Sequence, residues 1–136
     1  MPSFQSKSDV QAYFSVFNAG NIDLMVTYYS TAIKVHLGDV ATISGREAVA
    51  NHYRQQMLDM GEKMQVEKIV LGSEACVVKA EVHFIPKKNF GEGFLDLPPV
   101  HMGEILKVPF MIFYDLDEDQ MVETVRAVPA GPPRVE

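Results

Sequence analysis

The stretch Val10-Gln-Ala-Tyr-Phe-Ser-Val-Phe-Asn-Ala-Gly-Asn-Ile-Asp23 carries the first decision about the fold. Val10, Tyr13, Phe14 and Phe17 fall at i, i+3, i+4 and i+7, the single apolar stripe of an amphipathic helix. Ser8 with Gln11 three residues on forms a capping-box pattern at its start, and Gly20 ends it. A second short helix, about 22–29, follows Asn21 and finishes on Tyr28-Tyr29 before a break at Ser30-Thr31.

Downstream, the period changes. Residues 32–37 alternate apolar Ile33, Val35 and Leu37 with polar Lys34 and His36, which predicts a strand ended by Gly38-Asp39. A third helix is expected over 46–60, with Val49, Tyr53, Met57 and Met60 on one face and Gly61 closing it. Strands follow at 63–71, 75–86, 105–116 and 121–128, with turn signals at Gly72-Ser-Glu and Asp117-Glu-Asp-Gln. Residues 87–103, rich in Gly, Pro and Phe, read as an inserted hairpin or lid. The tail, 129–136, has three prolines and cannot continue a central strand. Helices ahead of a strand meander predict α+β packing. The expected shape is a cone-like roll, its N-terminal helices laid on a curved mixed or antiparallel sheet around an apolar pocket.

With 136 residues, 47% of them hydrophobic and 22% charged, one folded domain spanning 1–136 is expected. A net charge of −6 disfavours nucleic acid and anionic membrane as partners. No apolar run approaches the ~20 residues of a membrane span, and residues 1–9 lack the apolar core of a signal peptide, so a cytoplasmic location is expected. The lone cysteine, Cys76, sits in the apolar run Ala75-Cys-Val-Val and reads as a buried small hydrophobe. The histidines at 36, 52, 83 and 101 lie singly, without metal-ligand spacing, and no phosphate loop or nucleophile elbow occurs. No metal and no cofactor are expected.

From Val10 to about Ala130 the chain resembles the nuclear transport factor 2-like superfamily, in particular its SnoaL-like and ketosteroid isomerase-like members. The quoted helix break, Tyr28-Tyr29, Ser44-Gly-Arg-Glu-Ala-Val-Ala-Asn-His-Tyr53 and the final hairpin, Phe113-Tyr-Asp-Leu-Asp-Glu-Asp-Gln-Met-Val-Glu-Thr-Val-Arg-Ala127, carry the resemblance. It implies that Tyr13 corresponds to the oxyanion-binding tyrosine of the isomerase, with Tyr29 and Tyr53 as supporting tyrosines. The general base of the isomerase falls on His36, or on Leu37 if the preceding turn is not shortened by one residue. Its second oxyanion acid has no counterpart, because the chain is apolar near Phe110. Phe17, Tyr29, Tyr53, Met57, Phe110, Tyr114 and Val125 are the expected substrate-binding wall. Homodimerisation is implied as well.

The residues leave several proton carriers open. His36 is an imidazole able to take or give a proton, or else shares the solvent face with Lys34. Asp39 is a second candidate base, or an ordinary turn residue. His83 shares a face with Glu81, as an exposed pair or a proton-transfer dyad. Glu123 shares a face with Val125 and Ala127 by alternation, as an acid among apolar neighbours or at the edge of the turn. These readings predict a cofactor-independent isomerase or cyclase acting by general acid–base catalysis on a small apolar polyketide, terpenoid or alkaloid intermediate. A non-catalytic ligand- or protein-binding role is the alternative, and a dehydratase or epoxide hydrolase would use the same groups.

Overall fold

In the computed structural model, which describes residues 2–136, helix α1 spans Lys7–Asn18. Its N-cap is Ser6 rather than Ser8. Ser6 Oγ accepts from the Asp9 backbone N–H at 3.1 Å, while Asp9 Oδ2 accepts from the Ser6 N–H at 3.1 Å. Asp three residues after Ser closes the same reciprocal box that Gln11 would have closed two residues later. The helix buries Val10, Tyr13, Phe14 and Phe17, the stripe expected from their spacing.

The second helix is shorter than its sequence pattern. α2 covers Ile22–Met25, a single 3-10 turn follows at Val26–Tyr28, and strand β1 begins at once, over Tyr29–Leu37. The break predicted at Ser30-Thr31 instead lies inside the strand, where its pairing with the last long strand shifts register. β2, Ala41–Ser44, completes a small hairpin that the sequence did not announce. α3 spans Arg46–Asp59, and β3, Met60–Leu71, starts with no intervening residue. β4 (Ala75–Pro86), β5 (Leu106–Leu116) and β6 (Val122–Pro129) follow the expected meander, and β7 is a two-residue edge at Arg134–Val135.

The sheet runs β2-β1-β6-β5-β4-β3, with β7 added against β5. Among the described residues only β1 and β6 pair in parallel; the other pairs are antiparallel. This is a mixed, curved sheet with three helices packed on it, the α+β cone expected from the order of elements. The helices and the inner face of the sheet share the main core, which includes Phe17, Ile33, Val49, Val78, Ile112 and Tyr114.

Asn18 fixes α1 to the sheet. Its amide donates to the Met64 carbonyl at 2.9 Å and accepts from the Met64 N–H at 2.8 Å. β3 is an edge strand, so this pair satisfies backbone groups that would otherwise meet water or another chain. It also holds Tyr13 and Phe17 above the start of β3.

Residues 87–105 form a flap pinned by two bridges, Phe90 to Val100 and Phe94 to Leu97. Phe90, Phe94 and Leu97 pack on a second apolar cluster containing Met60, Val82, Phe84, Leu106 and Val108. Gly93 turns the flap at φ +92°, and a Cβ there would come within 2.4 Å of the Leu97 carbonyl oxygen. Only glycine fits that turn.

Candidate active site

A cavity lies between the helices, the inner sheet face and the flap. Tyr13 and Phe17 from α1, Tyr53 and Gln56 from α3, and Tyr114 from β5 line it, together with Phe84, Phe110, Ile112 and Val125. The flap contributes Leu95, Asp96 and Leu97. Asp96 Oδ2 lies 3.5 Å from where a Cβ would stand on Gly38, so the flap meets the turn after β1 at the mouth.

Tyr13 and Tyr29 share a hydrogen bond of 2.5 Å between their hydroxyls, and both rings are buried. Tyr29 does not line the cavity; it stands behind Tyr13. The Tyr13 ring packs edge-on against Tyr114 at 6.0 Å between centroids, and Phe17 does the same with Tyr53 at 5.8 Å. Burial pushes the hydroxyls of Tyr13, Tyr29, Tyr53 and Tyr114 up from the ordinary phenol value. They stay neutral and keep their protons to donate.

The polar centre of this wall is Glu62. It is half-buried, lines the cavity, and accepts at Oε1 from the Gln56 amide Nε2 at 2.7 Å. Burial raises its pKa from 4.5 to about 7, and the Gln56 hydrogen bond holds it back from rising further. Its negative charge in turn opposes ionisation of Tyr29, Tyr53 and Tyr114. A carboxyl poised near neutrality can both take and return a proton.

Sequence reasoning missed Glu62 because Gly61 read as a helix stop and the strand was begun at Lys63. In the structure β3 starts at Met60, so Met60, Glu62, Met64 and Val66 share the inner face, and Glu62 pairs across to the cavity-lining Phe84. The signal was available as a carboxylate in step with two methionines.

The other proton carriers are placed elsewhere. His36 sits at the mouth of the cavity, opposite Thr42 on β2, with Nδ1 3.1 Å from the Thr42 hydroxyl. Ile33 and Val35 are the buried residues of this part of β1, whereas Leu37, like His36, is half-buried and lines the cavity. Asp39 is exposed in the turn after β1 and does not reach the cavity. His83 lies on the opposite sheet face from Val82 and Phe84, where Nε2 meets Glu81 Oε1 at 2.8 Å; Glu81 also accepts from Arg134 at 3.1 Å. This trio draws the Glu81 pKa down, with His83 as the main cause.

Glu123 is not at the cavity. Tyr114 pairs with Val125, Asp115 with Thr124, and Leu116 with Val122, so Glu123 is the extra residue of a β-bulge. The bulge breaks the alternation that had put Glu123 in step with Val125. Glu123 borders a separate shallow acidic cleft with Glu74, Asp117 and Glu118.

Of the expected substrate wall, Phe17, Tyr53, Phe110, Tyr114 and Val125 line the cavity, whereas Tyr29 and Met57 pack behind it. Cys76 is buried and burial pushes its thiol up to about 11, the opposite of a reactive thiolate. Among the described residues, no three His, Cys, Asp or Glu side chains come together as a metal site.

Residues 10–124 match the SnoaL-like domain family. The chain belongs to the SnoaL-like family. No curated protein matches it in sequence. Its fold is shared by a candidate polyketide cyclase from Silicibacter sp. TM1040, 22% identical, with a TM-score of 0.75 over 93% of this chain and 90% of that one. A candidate polyketide cyclase from Xanthomonas campestris pv. campestris is similar, 21% identical, with a TM-score of 0.72 over 87% and 84% of the two chains. SalBIII, an epoxide hydrolase/cyclase-like enzyme of pyran ring formation in the polyether salinomycin, is 12% identical, with a TM-score of 0.71 over 91% and 89%. At these identities the likeness speaks for the SnoaL-like fold alone. The described residues include no helix long and apolar enough to cross a membrane.

Proposed function

We propose that this SnoaL-like chain is a cofactor-independent isomerase or cyclase that moves a proton within a small apolar secondary-metabolite intermediate. One observation carries the reading. Glu62, held by Gln56, is a carboxyl with a pKa near neutrality on the wall of a ring-lined cavity. The two similar candidate polyketide cyclases and SalBIII favour a ring-forming or bond-shifting reaction of this kind.

In this mechanism ionised Glu62 removes a proton from carbon next to a carbonyl. The bonding pair moves towards the carbonyl oxygen, where a neutral phenol of Tyr13 or Tyr114 donates a hydrogen bond to the growing charge. Tyr29 holds the Tyr13 hydroxyl in place. Where a carbon–carbon double bond lies β,γ to the carbonyl, the anion is a dienolate, and protonated Glu62 returns the proton to its γ carbon, giving isomerisation. Alternatively the enolate carbon attacks a second carbonyl of the same molecule and Glu62 protonates the new alkoxide, giving a ring. Both routes return Glu62 to its starting form.

The test is exchange of α-protons for deuterium in a panel of small cyclic ketones, followed by NMR in heavy water. Exchange above the buffer rate that is lost in Glu62→Gln supports the reading; equal exchange in wild type and variant sinks it. Tyr13→Phe should slow the same exchange by about 10-fold or more, as expected for removing one oxyanion donor or its support. It should also cost about 1–3 kcal/mol in urea unfolding, because the Tyr29 hydroxyl is left buried without its partner. An unchanged rate would mean that Tyr13 only packs.

We also propose that the outer sheet face pairs two copies of the chain. Phe113 and Val128 are exposed there, Val128 opposite Met111, and sedimentation of wild type against Phe113→Glu tests it.

A further inference from the structure

The side chains around the cavity differ sharply in charge. Six aromatic rings line it: Tyr13, Phe17, Tyr53, Phe84, Phe110 and Tyr114. Two carboxyls face it, Glu62 from β3 and Asp96 from the flap, and among the described residues no lysine or arginine does. His36 is at the mouth. The protein as a whole carries a net charge of −6.

We propose that the natural ligand of this cavity is a small apolar organic cation, an ammonium or iminium nitrogen in a hydrocarbon frame, seated among the rings beside Glu62. The proposal rests on Glu62 being the reactive carboxyl of the cavity, and adds to it the chemical class of the substrate.

An anionic ligand would meet two carboxyls and no guanidinium or ammonium group. A neutral one would fill the cavity but leave an ionised Glu62 desolvated with only the Gln56 amide to compensate. A cation compensates the carboxylate directly, and aromatic rings attract it through their quadrupoles when water is excluded. Long-range attraction by the acidic protein brings such a ligand in faster than a neutral one.

Cation binding also prepares the base. A positive nitrogen beside Glu62 favours the carboxylate, so a carboxyl that is partly protonated in the empty cavity loses its proton as the ligand enters. The groups facing Glu62 from the other elements do not blur this titration. Tyr13 from α1, Tyr53 from α3, Tyr114 from β5 and Tyr29 from β1 are all held neutral by burial. His52 on α3 interacts with Gln56, the partner of Glu62, and burial holds its pKa down; His36 and Asp96 are at the mouth, and the contributions of all three persist in a Glu62→Gln variant.

The experiment compares phenyltrimethylammonium, which has no proton of its own to lose, with tert-butylbenzene, its neutral carbon isostere. Dissociation constants are measured by calorimetry between about pH 5 and pH 8 on wild type and Glu62→Gln. The cation is expected to bind at least ~10-fold more tightly than the isostere at about pH 8. That advantage should be level above about pH 7 and decline below it, as Glu62 takes up its proton, by no more in total than ionised Glu62 contributes to it. Glu62→Gln should cut the advantage to the part that the rings and Asp96 supply and remove its dependence on Glu62 protonation, while leaving tert-butylbenzene binding in place.

Equal or tighter binding of tert-butylbenzene by wild type at about pH 8 overturns the proposal, and so does a cation preference that is undiminished in Glu62→Gln. The wild-type pH profile stands even if the variant does not fold. A cavity without cation preference that still exchanges ketone protons through Glu62 removes the cation and keeps the proton-transfer function. Glu62-dependent cation selectivity without any exchange does the reverse.

Discussion

Glu62→Gln should make the protein more stable at about pH 8, by roughly 1–3 kcal/mol, while slowing proton transfer by about 10²–10⁴-fold. In the folded state burial lifts the Glu62 pKa from 4.5 to about 7. Between those two values the unfolded chain has released this proton and the folded chain still holds it. Folding therefore binds a proton there, and the Glu62 contribution to stability falls as pH rises from about 4.5 to about 7. Above that window the full penalty remains, and below it the penalty is absent. The top of the range follows from the distance between the two values at about 1.4 kcal/mol per unit; access of water through the cavity lowers it. Glutamine cannot ionise and keeps an oxygen for the Gln56 amide. Urea unfolding at about pH 4, 6 and 8 should show wild type and variant converging at the acid end and separating at the alkaline end. Equal pH profiles would mean that Glu62 is solvated like a surface carboxylate. A gain in stability with a loss of activity is the pattern of a group kept for function against its cost to the fold.

The helices and the strand meander were legible because hydrophobic period is a local property. Val10, Tyr13, Phe14 and Phe17 announce one buried stripe whatever they pack against, and the alternation in 75–86 announces a strand. The cavity's aromatic wall followed from that stripe together with the family resemblance. The proton carrier did not, because it depends on where a strand begins and whether it stays in phase. β3 begins three residues earlier than its sequence pattern, and that brings Glu62 onto the inner face. β6 carries a bulge at Glu123, and that takes a carboxylate off the face alternation had given it. The first is a strand boundary and the second a shift of register, and with a side-chain period of two both decide which side a residue faces. His36 shows the same sensitivity. Ile33 and Val35 keep the buried register, and His36 is left at the rim against Thr42.

Phe4 went unread for a different reason: it precedes the first periodic segment, so no pattern marks it. In the structure it is fully buried, with its ring 5.3 Å from that of Tyr13, 5.5 Å from Tyr114 and 6.0 Å from Tyr28. Its backbone N–H donates to the Gln120 carbonyl at 2.9 Å, which ties the N-terminal lead to the turn between β5 and β6. Phe4 thereby packs behind two of the tyrosines that form the inner end of the cavity. Phe4→Ala should cost about 3–5 kcal/mol, the range for emptying a buried phenylalanine site, read as a fall in the urea midpoint with an unchanged slope. Phe4→Leu fills much of the volume and should recover most of that loss. The functional consequence separates packing from positioning. If the Phe4 ring holds Tyr13 and Tyr114 at the reacting atoms, ketone exchange should fall in Phe4→Ala even at a temperature where the variant is fully folded, because small displacements of a donor weaken catalysis steeply. Exchange at the wild-type rate by folded Phe4→Ala would confine Phe4 to stability and leave the placement of Tyr13 to its hydrogen bond with Tyr29.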